Sequence, residues 1–148
     1  MKRKAAVAVE TREAELAGWA HGRETLLVVE DEPSILKIVG TTLRRLGYTV
    51  IEAGSAREAL ALAARHEGPL HLLLTDVIMP EMNGFDLYKA IAASRPGIKV
   101  VFVSGYAADV FPAADEGKGG VAFLQKPFGI RQLSAKVREV LDANNARP

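Results

Sequence analysis

The chain has 148 residues, 49% hydrophobic and 25% charged, enough to close one hydrophobic core and too few for two ordinary domains. Nineteen Lys and Arg against eighteen Asp and Glu leave a net charge of +1, so no basic field points to nucleic acid and no acidic field to a cationic partner. The absence of cysteine removes disulfides, thiolate metal sites and thiol nucleophiles and fits a reducing cytoplasm, and no apolar stretch approaches the roughly 18 residues of a membrane span.

Residues 1–24 differ from the rest. The opening Met1-Lys2-Arg3-Lys4 is basic like a secretion signal, but the apolar stretch from Ala5 to Val9 is short and breaks at Glu10, so export is not expected. Val9, Leu16, Trp19 and Ala20 form a weak helical stripe that Gly22 ends, which predicts a linker or an appended helix. From Thr25 the pattern becomes regular. Leu26 to Val29 is a short apolar run, and Pro33 then opens a helix with apolar positions Ile35, Leu36, Ile38, Val39, Leu43 and Leu46, stopped by Gly47. Tyr48 to Ile51 is a second strand. Ser55 and Glu58 form a capping box for a helix that runs to about His66, and Leu70 to Thr75 is the third strand. Gly84 to Ser94 is a third helix with Phe85, Tyr88 and Ile91 inward, followed by a fourth strand from Ile98 to Val103. Pro112, Gly117, Gly119 and Gly120 break the stretch 106–120 into short, mobile turns. Val121 to Gln125 is the fifth strand, and a last helix from about Gly129 to Asn144 buries Ile130, Leu133, Val137 and Val140.

Strand and helix thus alternate five times with short connections. The expected fold is a three-layer α/β domain over residues 25–144, with parallel strands, helices on both faces and a short tail at 145–148. In a parallel sheet the strand exits share one edge, and here they carry Glu30-Asp31, Asp76, Ser104 and Lys126-Pro127. Each has an ordinary explanation taken singly. Glu30-Asp31-Glu32 could be an acidic helix start, Asp76 a turn former, Ser104-Gly105 a plain turn and Lys126 a solvated charge. Together they gather three acids, a hydroxyl and a lysine where turn formers alone would suffice.

Three carboxylates so placed repel by up to about 4 kcal/mol per pair at 4 Å with an effective dielectric near 20. Either their pKa values rise or a cation sits among them. All-oxygen donors suit Mg²⁺, which binds a couple of carboxylates and leaves positions for a phosphate. Asp76 can then act as metal ligand through one oxygen and as nucleophile through the other, forming an aspartyl phosphate. Lys126 balances the phosphoryl charge and Ser104 donates to one of its oxygens. Arg44-Arg45, Glu58 and Arg138-Glu139 read as solvated helix faces, and Trp19 and the three histidines have no partner in the pattern.

The stretches Leu26 to Pro33, Leu73-Leu74-Thr75-Asp76 with Met79-Pro80 and Asn83-Gly84, Val103-Ser104-Gly105-Tyr106, and Gln125-Lys126-Pro127-Phe128 resemble, in order and spacing, a two-component response-regulator receiver domain. The resemblance covers residues 24–141 and implies a doubly wound (βα)5 flavodoxin-like fold with strand order 2-1-3-4-5. It implies phosphotransfer from a histidine kinase or histidine phosphotransfer protein to Asp76, in a bacterial phosphorelay. It also implies Mg²⁺ bound by Asp31, Asp76 and the backbone carbonyl of Ile78, with Glu30 acting through water. Ser104 takes the switch hydroxyl position and Phe123 the aromatic switch position, and the Lys126–Pro127 bond is cis. Phosphorylation then changes the partner affinity of the surface formed by the fourth helix, the fifth strand and the last helix, with a phosphorylation-dependent homodimer left open. The wording is most similar to receiver domains of hybrid sensor histidine kinases, so residues 1–24 fit a linker from a kinase core, although a starting Met also fits a free-standing regulator. With no DNA-binding region after the last helix, transcription-factor output within the chain is not expected.

Two departures stand out. Glu30 replaces the commoner Asp, and Ile78 and Tyr106, two residues beyond the phosphoacceptor and the switch hydroxyl, are bulky enough to shield a phosphoryl group from water. Two other readings compete. An Asp-nucleophile phosphatase of the dehalogenase type carries an Asp two residues after the nucleophile, where this chain has Ile78. A receiver-like module that binds protein without phosphorylation has no need of Asp31, Asp76, Ser104 and Lys126 as a set. A receiver catalyses its own modification and is not an enzyme in the usual sense.

Overall fold

A computed structural model describes residues 18–105 and 120–143. Five strands, β1 (Thr25–Val29), β2 (Thr49–Ala53), β3 (Leu72–Asp76), β4 (Lys99–Ser104) and β5 (Val121–Gln125), form one parallel sheet in the order β2-β1-β3-β4-β5. The register pairs Val29 with Ala53 and Thr75, Asp76 with Val103, and Ser104 with Gln125. The four described helices are α1 (Pro33–Arg45), α2 (Ala56–Arg65), α3 (Gly84–Ser94) and α4 (Ile130–Asp142).

Strand residues alternate between the faces, so a central strand must be apolar throughout. Leu26 and Val28 of β1 pack with Leu43 of α1 and Leu133 and Val137 of α4, whereas Leu27 and Val29 pack with Ala59 of α2 and Leu87 and Ile91 of α3. The expected three layers are present. The turn-rich stretch expected at 106–120 lies outside the described residues except Gly120, whose carbonyl accepts from Val100 N at 2.8 Å. Among the described residues no helix is long and apolar enough to cross a membrane.

Local signals set the helix limits. Pro33 lies in the first turn of α1, and Gly47 just past its end carries φ of 107°. The Ser55 hydroxyl accepts from Glu58 N at 3.0 Å, and the Glu58 carboxylate accepts from Gly54 N at 2.7 Å, one residue further back than a standard capping box. Replacing such a cap by Ala removes about 1 kcal/mol. α3 has a cap that the sequence reading omitted, because Asn83 Oδ1 accepts from Asp86 N at 2.8 Å. Its inward residues are Ile91, buried as expected, and Phe85 and Tyr88, half-buried against the Phe102 ring at 4.8 and 6.0 Å between centroids, to which the structure adds fully buried Leu87.

The segment ahead of β1 packs against the core. Residues 18–24 contain no helix, so the stripe expected through Trp19 and Ala20 is not helical there, and residues 9–17 lie outside the described residues. Trp19 packs on the α1/α4 cluster beneath Arg131, whose guanidinium carbon stands 5.9 Å from the ring centroid. Gly22 N donates to the Leu46 carbonyl at 3.1 Å, and a Cβ on Gly47 would strike the Gly22 carbonyl. Arg138 is not a solvated charge, as the sequence alone suggested. Its guanidinium grips Glu24 at 2.7 and 3.1 Å and also donates to the His21 carbonyl, to Tyr48 and to Asp142. A bidentate charged pair contributes about 1.5–3 kcal/mol against about 0.5–1 kcal/mol for an exposed cation–π contact, so Arg138 is the stronger anchor.

The far edge of the sheet is closed by similar contacts. Arg95 donates to the carbonyls of Ala63, His66 and Gly68 at the end of α2, and Lys99 to those of Leu141 and Ala143 at the end of α4. These groups have no helical partner, and a cation satisfies them while opposing the dipole. His71, left without a role by its sequence context, accepts from Thr25 N through Nδ1 at 2.9 Å.

Glu24 supplies a test. The Arg138 guanidinium holds its carboxyl down at about 2, well below the ordinary 4.5. A depressed folded-state pKa gives stability that is present above the unfolded value and lost as pH falls through the folded one. The melting-temperature deficit of Glu24→Gln relative to wild type is therefore constant at neutral pH, shrinks below about pH 4.5 and vanishes near pH 2. A deficit unchanged across that range in a pH series of thermal melts contradicts the assignment.

Candidate functional site

Glu30 follows β1, Asp76 ends β3, Ser104 ends β4 and Lys126 follows β5, all on the carboxyl edge of the sheet. The strand alternation separates them further. Glu30 continues the Leu26/Val28 positions, Asp76 the Leu72/Leu74 positions and Lys126 the Ala122/Leu124 positions, all on the α1/α4 face. Ser104 continues Val100 and Phe102 on the opposite face, which Phe123 shares. Charge thus collects on one side of the edge, and the hydroxyl and aromatic side chains on the other.

Lys126 Nζ stands 3.0 Å from Asp76 Oδ1 and 3.4 Å from Glu30 Oε1. Asp76 and Glu30 are buried, at 6% and 7% exposure, and Asp31 is exposed at the rim. Each of Glu30, Asp31 and Asp76 places a carboxylate oxygen within 4.8 Å of the others. The other Glu30 oxygen accepts from Glu32 N at 3.1 Å, which fixes its longer arm. Burial, and then the charge of Asp76, push Glu30 up to about 8, with Lys126 pulling the other way. Burial alone would lower Lys126, but the carboxylates of Asp76 and Glu30 outweigh it and raise its pKa. The site is a pocket of excess negative charge that one lysine only partly balances. An oxygen-only set with one exposed member fits a hard divalent cation that keeps some of its water.

The surrounding backbone is tightly set. Gly84 N donates to the Val77 carbonyl at 2.7 Å, and a Cβ on Gly84 would strike the Asp76 carbonyl, so α3 can start against the β3 exit only with glycine there. Thr75 Oγ1 donates to the Asp76 carbonyl at 3.0 Å. Val77 N and Lys126 N extend the ladder to the carbonyls of Val103 and Ser104, and the Lys126–Pro127 bond is cis. The loop turns through Glu81, which adopts φ of 76°. Its Ile78 side chain points to solvent, 61% exposed.

The profile of the response regulator receiver domain family matches residues 26–138. The chain belongs to this receiver family. The sensor kinase CckA of Brucella abortus is 38% identical over 138 residues, 93% of this chain but 15% of the kinase. At most ten residues lie outside that match, so it takes in residues 18–24 as well as the receiver profile. The receiver protein CpdR of Brucella abortus is 30% identical over 80% of this chain and 97% of its own length. The crystal structure of the receiver domain from the hybrid histidine kinase CckA aligns with a TM-score of 0.68 and 36% identity, covering 80% of this chain and 99% of that domain.

In this receiver the structure brings together Glu30, Asp31, Asp76 and Lys126. Ser104 is buried one step beyond Val103, the register partner of Asp76. Phe123 is buried too, stacked on Phe102 at 5.5 Å between centroids. Tyr106 lies outside the described residues. Sequence reasoning missed Phe102 and the backbone role of Gly84. The Asn83-Gly84 pair ahead of an apolar helix was a signal for the second, and nothing marks Phe102 apart from other core residues.

The raised Glu30 value sets the sign of a second test. Between about 4.5 and about 8 the folded chain holds a proton on Glu30 that the unfolded chain releases, so this group reduces stability as pH rises through that window. In EDTA, Glu30→Gln should raise the melting temperature more at pH 8.5 than at pH 5. Saturating Mg²⁺ should narrow the difference. An advantage independent of pH in EDTA would contradict the crowding of carboxylates.

Proposed function

We propose that this receiver takes a phosphoryl group on Asp76 from the phosphohistidine of a sensor histidine kinase or a histidine phosphotransfer protein. The observation that carries the reading is Lys126 Nζ at 3.0 Å from Asp76 Oδ1, in a site where Glu30 and Asp31 crowd the same carboxylate. An Asp76 oxygen attacks phosphorus in line, the phosphorus–nitrogen bond breaks, and the imidazole leaves with the electron pair. Lys126 stays within reach of the new phosphoryl oxygens and offsets their charge. Asp31, Asp76 and the Ile78 carbonyl would hold Mg²⁺, with Glu30 acting through water. When bound, the ion supplies the positive charge that the three carboxylates and the phosphate lack.

In this reading Ser104 turns toward the phosphoryl oxygens, Phe123 follows, and partner affinity changes on the β5/α4 side, as a two-state equilibrium biased by a few charged hydrogen bonds. The receiver unit is assigned to residues 25–144. Ile78 sits where a dehalogenase-type phosphatase has its acid, which argues against hydrolysis of a separate substrate. The assembled acids and lysine argue against a module that only binds protein.

Incubation with Mg²⁺ and acetyl phosphate, read by intact mass, tests the reading. We expect the gain of one phosphoryl group, absent in Asp76→Asn. No gain with either acetyl phosphate or a histidine kinase supports the binding-only alternative instead.

Exposed Ile78 at the mouth of the site provides a further prediction. An apolar side chain there hinders the approach of water, so Ile78→Asn should shorten the phosphoryl lifetime several-fold at unchanged yield. An unchanged decay of the phosphorylated mass sinks the idea.

A further inference from the structure

The segment 19–24 is well anchored and has no part in the proposed function. It runs beside α4 and is fastened to it near both ends of the helix. Trp19 lies beneath Arg131 in the first turn, and Glu24 and the His21 carbonyl are gripped by Arg138 in the last turns. Between these anchors the fit is close. A Cβ on Gly22 would strike Arg138 and Tyr48, and Gly22 N is bonded to the Leu46 carbonyl past the end of α1. The segment therefore bridges α1 and α4 over the same apolar cluster that holds Phe128 and Ile130.

The first turn of α4 is also close in sequence to the charged site. Lys126, bonded to Asp76 and Glu30, is followed by Pro127, buried Phe128 and Gly129, and α4 begins at Ile130. Only four residues separate Lys126 from Arg131, and two of them, Phe128 and Ile130, are buried in the core, so a change in the pull on Lys126 has a short path to Arg131. Adding a phosphoryl group to Asp76 alters that pull by adding negative charge beside the ammonium. Segment and site are thus attached to opposite ends of one short connection.

We propose that α4 is a docking surface for the chain's own residues 19–24, and that this dock reports the phosphorylation state of Asp76 toward the N-terminal side of the domain. The working unit then begins at Trp19 rather than Thr25. Coupling rests on the phosphoacceptor reading above. Its two anchors differ in role: the Arg138–Glu24 pair holds the segment, and the Trp19–Arg131 contact lies nearest the site and moves first.

Trp19 is the only tryptophan of the chain, so its fluorescence reads the dock directly. The full chain is treated with Mg²⁺ and acetyl phosphate while emission and intact mass are followed together. Wild type should gain one phosphoryl group with a shift of Trp19 emission, and Asp76→Asn should show neither. Arg138→Gln, and as a milder second variant Glu24→Gln, should be phosphorylated to the same extent but show red-shifted emission at rest and a smaller response. A phosphoryl gain with unmoved wild-type emission overturns the coupling alone. A resting emission unchanged in both variants overturns the dock. No phosphoryl gain in wild type overturns the phosphoacceptor reading and the coupling together.

Discussion

The ion pair between Lys126 and Asp76 is the contact on which the charged edge of the sheet depends. Glu30 and Asp76 are carboxylates taken out of water, and Glu30 is driven up to about 8 by that burial and by its neighbour. A lone lysine at 3.0 and 3.4 Å shares its charge between them. Burial of like charges without full compensation is a destabilising arrangement, and proteins retain such arrangements at functional sites. Here it leaves room for added positive charge, which a hard cation would supply, and it places Lys126 in direct contact with any change on Asp76.

Strand geometry creates this crowding. The parallel register staggers the ends of β1, β3 and β4 by one residue each, and the two-residue alternation decides which exits share a face. Glu30, Asp76 and Lys126 fall on the α1/α4 face because each lies an even number of residues from the core positions of its strand. Ser104 and Phe123 fall on the other, beside an aromatic array in which Phe102 touches Phe85, Tyr88 and Phe123. A shift of one residue in any strand would exchange the faces. The site is therefore as well defined as the sheet, and the sheet is held by fully buried leucines on both faces.

This is why so much could be read from the sequence. An apolar run bounded by turn residues gives a buried strand, and the polar residue at its end is then placed by topology alone. Glu30, Asp31, Asp76, Ser104 and Lys126 were all legible in that way, as were the Ser55 cap and the Gly47 stop. Strand ends were less so: Asp76 and Ser104 lie inside their strands because hydrogen bonding, not hydrophobicity, sets the limit. Arg138 and Trp19 were not legible. Glu24 and Arg138 are 114 residues apart, and no local pattern distinguishes a paired arginine from a solvated one. Phe85 and Tyr88 face inward as read, but Leu87, which the helix turns fully inward, was not singled out.

The two edges of the sheet use charge in opposite ways. On the far edge three cations are matched to acceptors: Arg95 to the end of α2, Lys99 to the end of α4 and Arg138 to the carboxylate of Glu24. On the site edge the balance is left incomplete, with Glu30 and Asp76 competing for Lys126. α4 joins the two, since it starts four residues after Lys126 and ends on the carbonyls that Lys99 holds. Its last turn is held by Lys99, and its first by the apolar packing of Ile130 and Leu133. Arg131 and Trp19 are at this first turn. On the proposed coupling, a charge added at Asp76 would act on α4 through its first turn and not through the end that Lys99 holds.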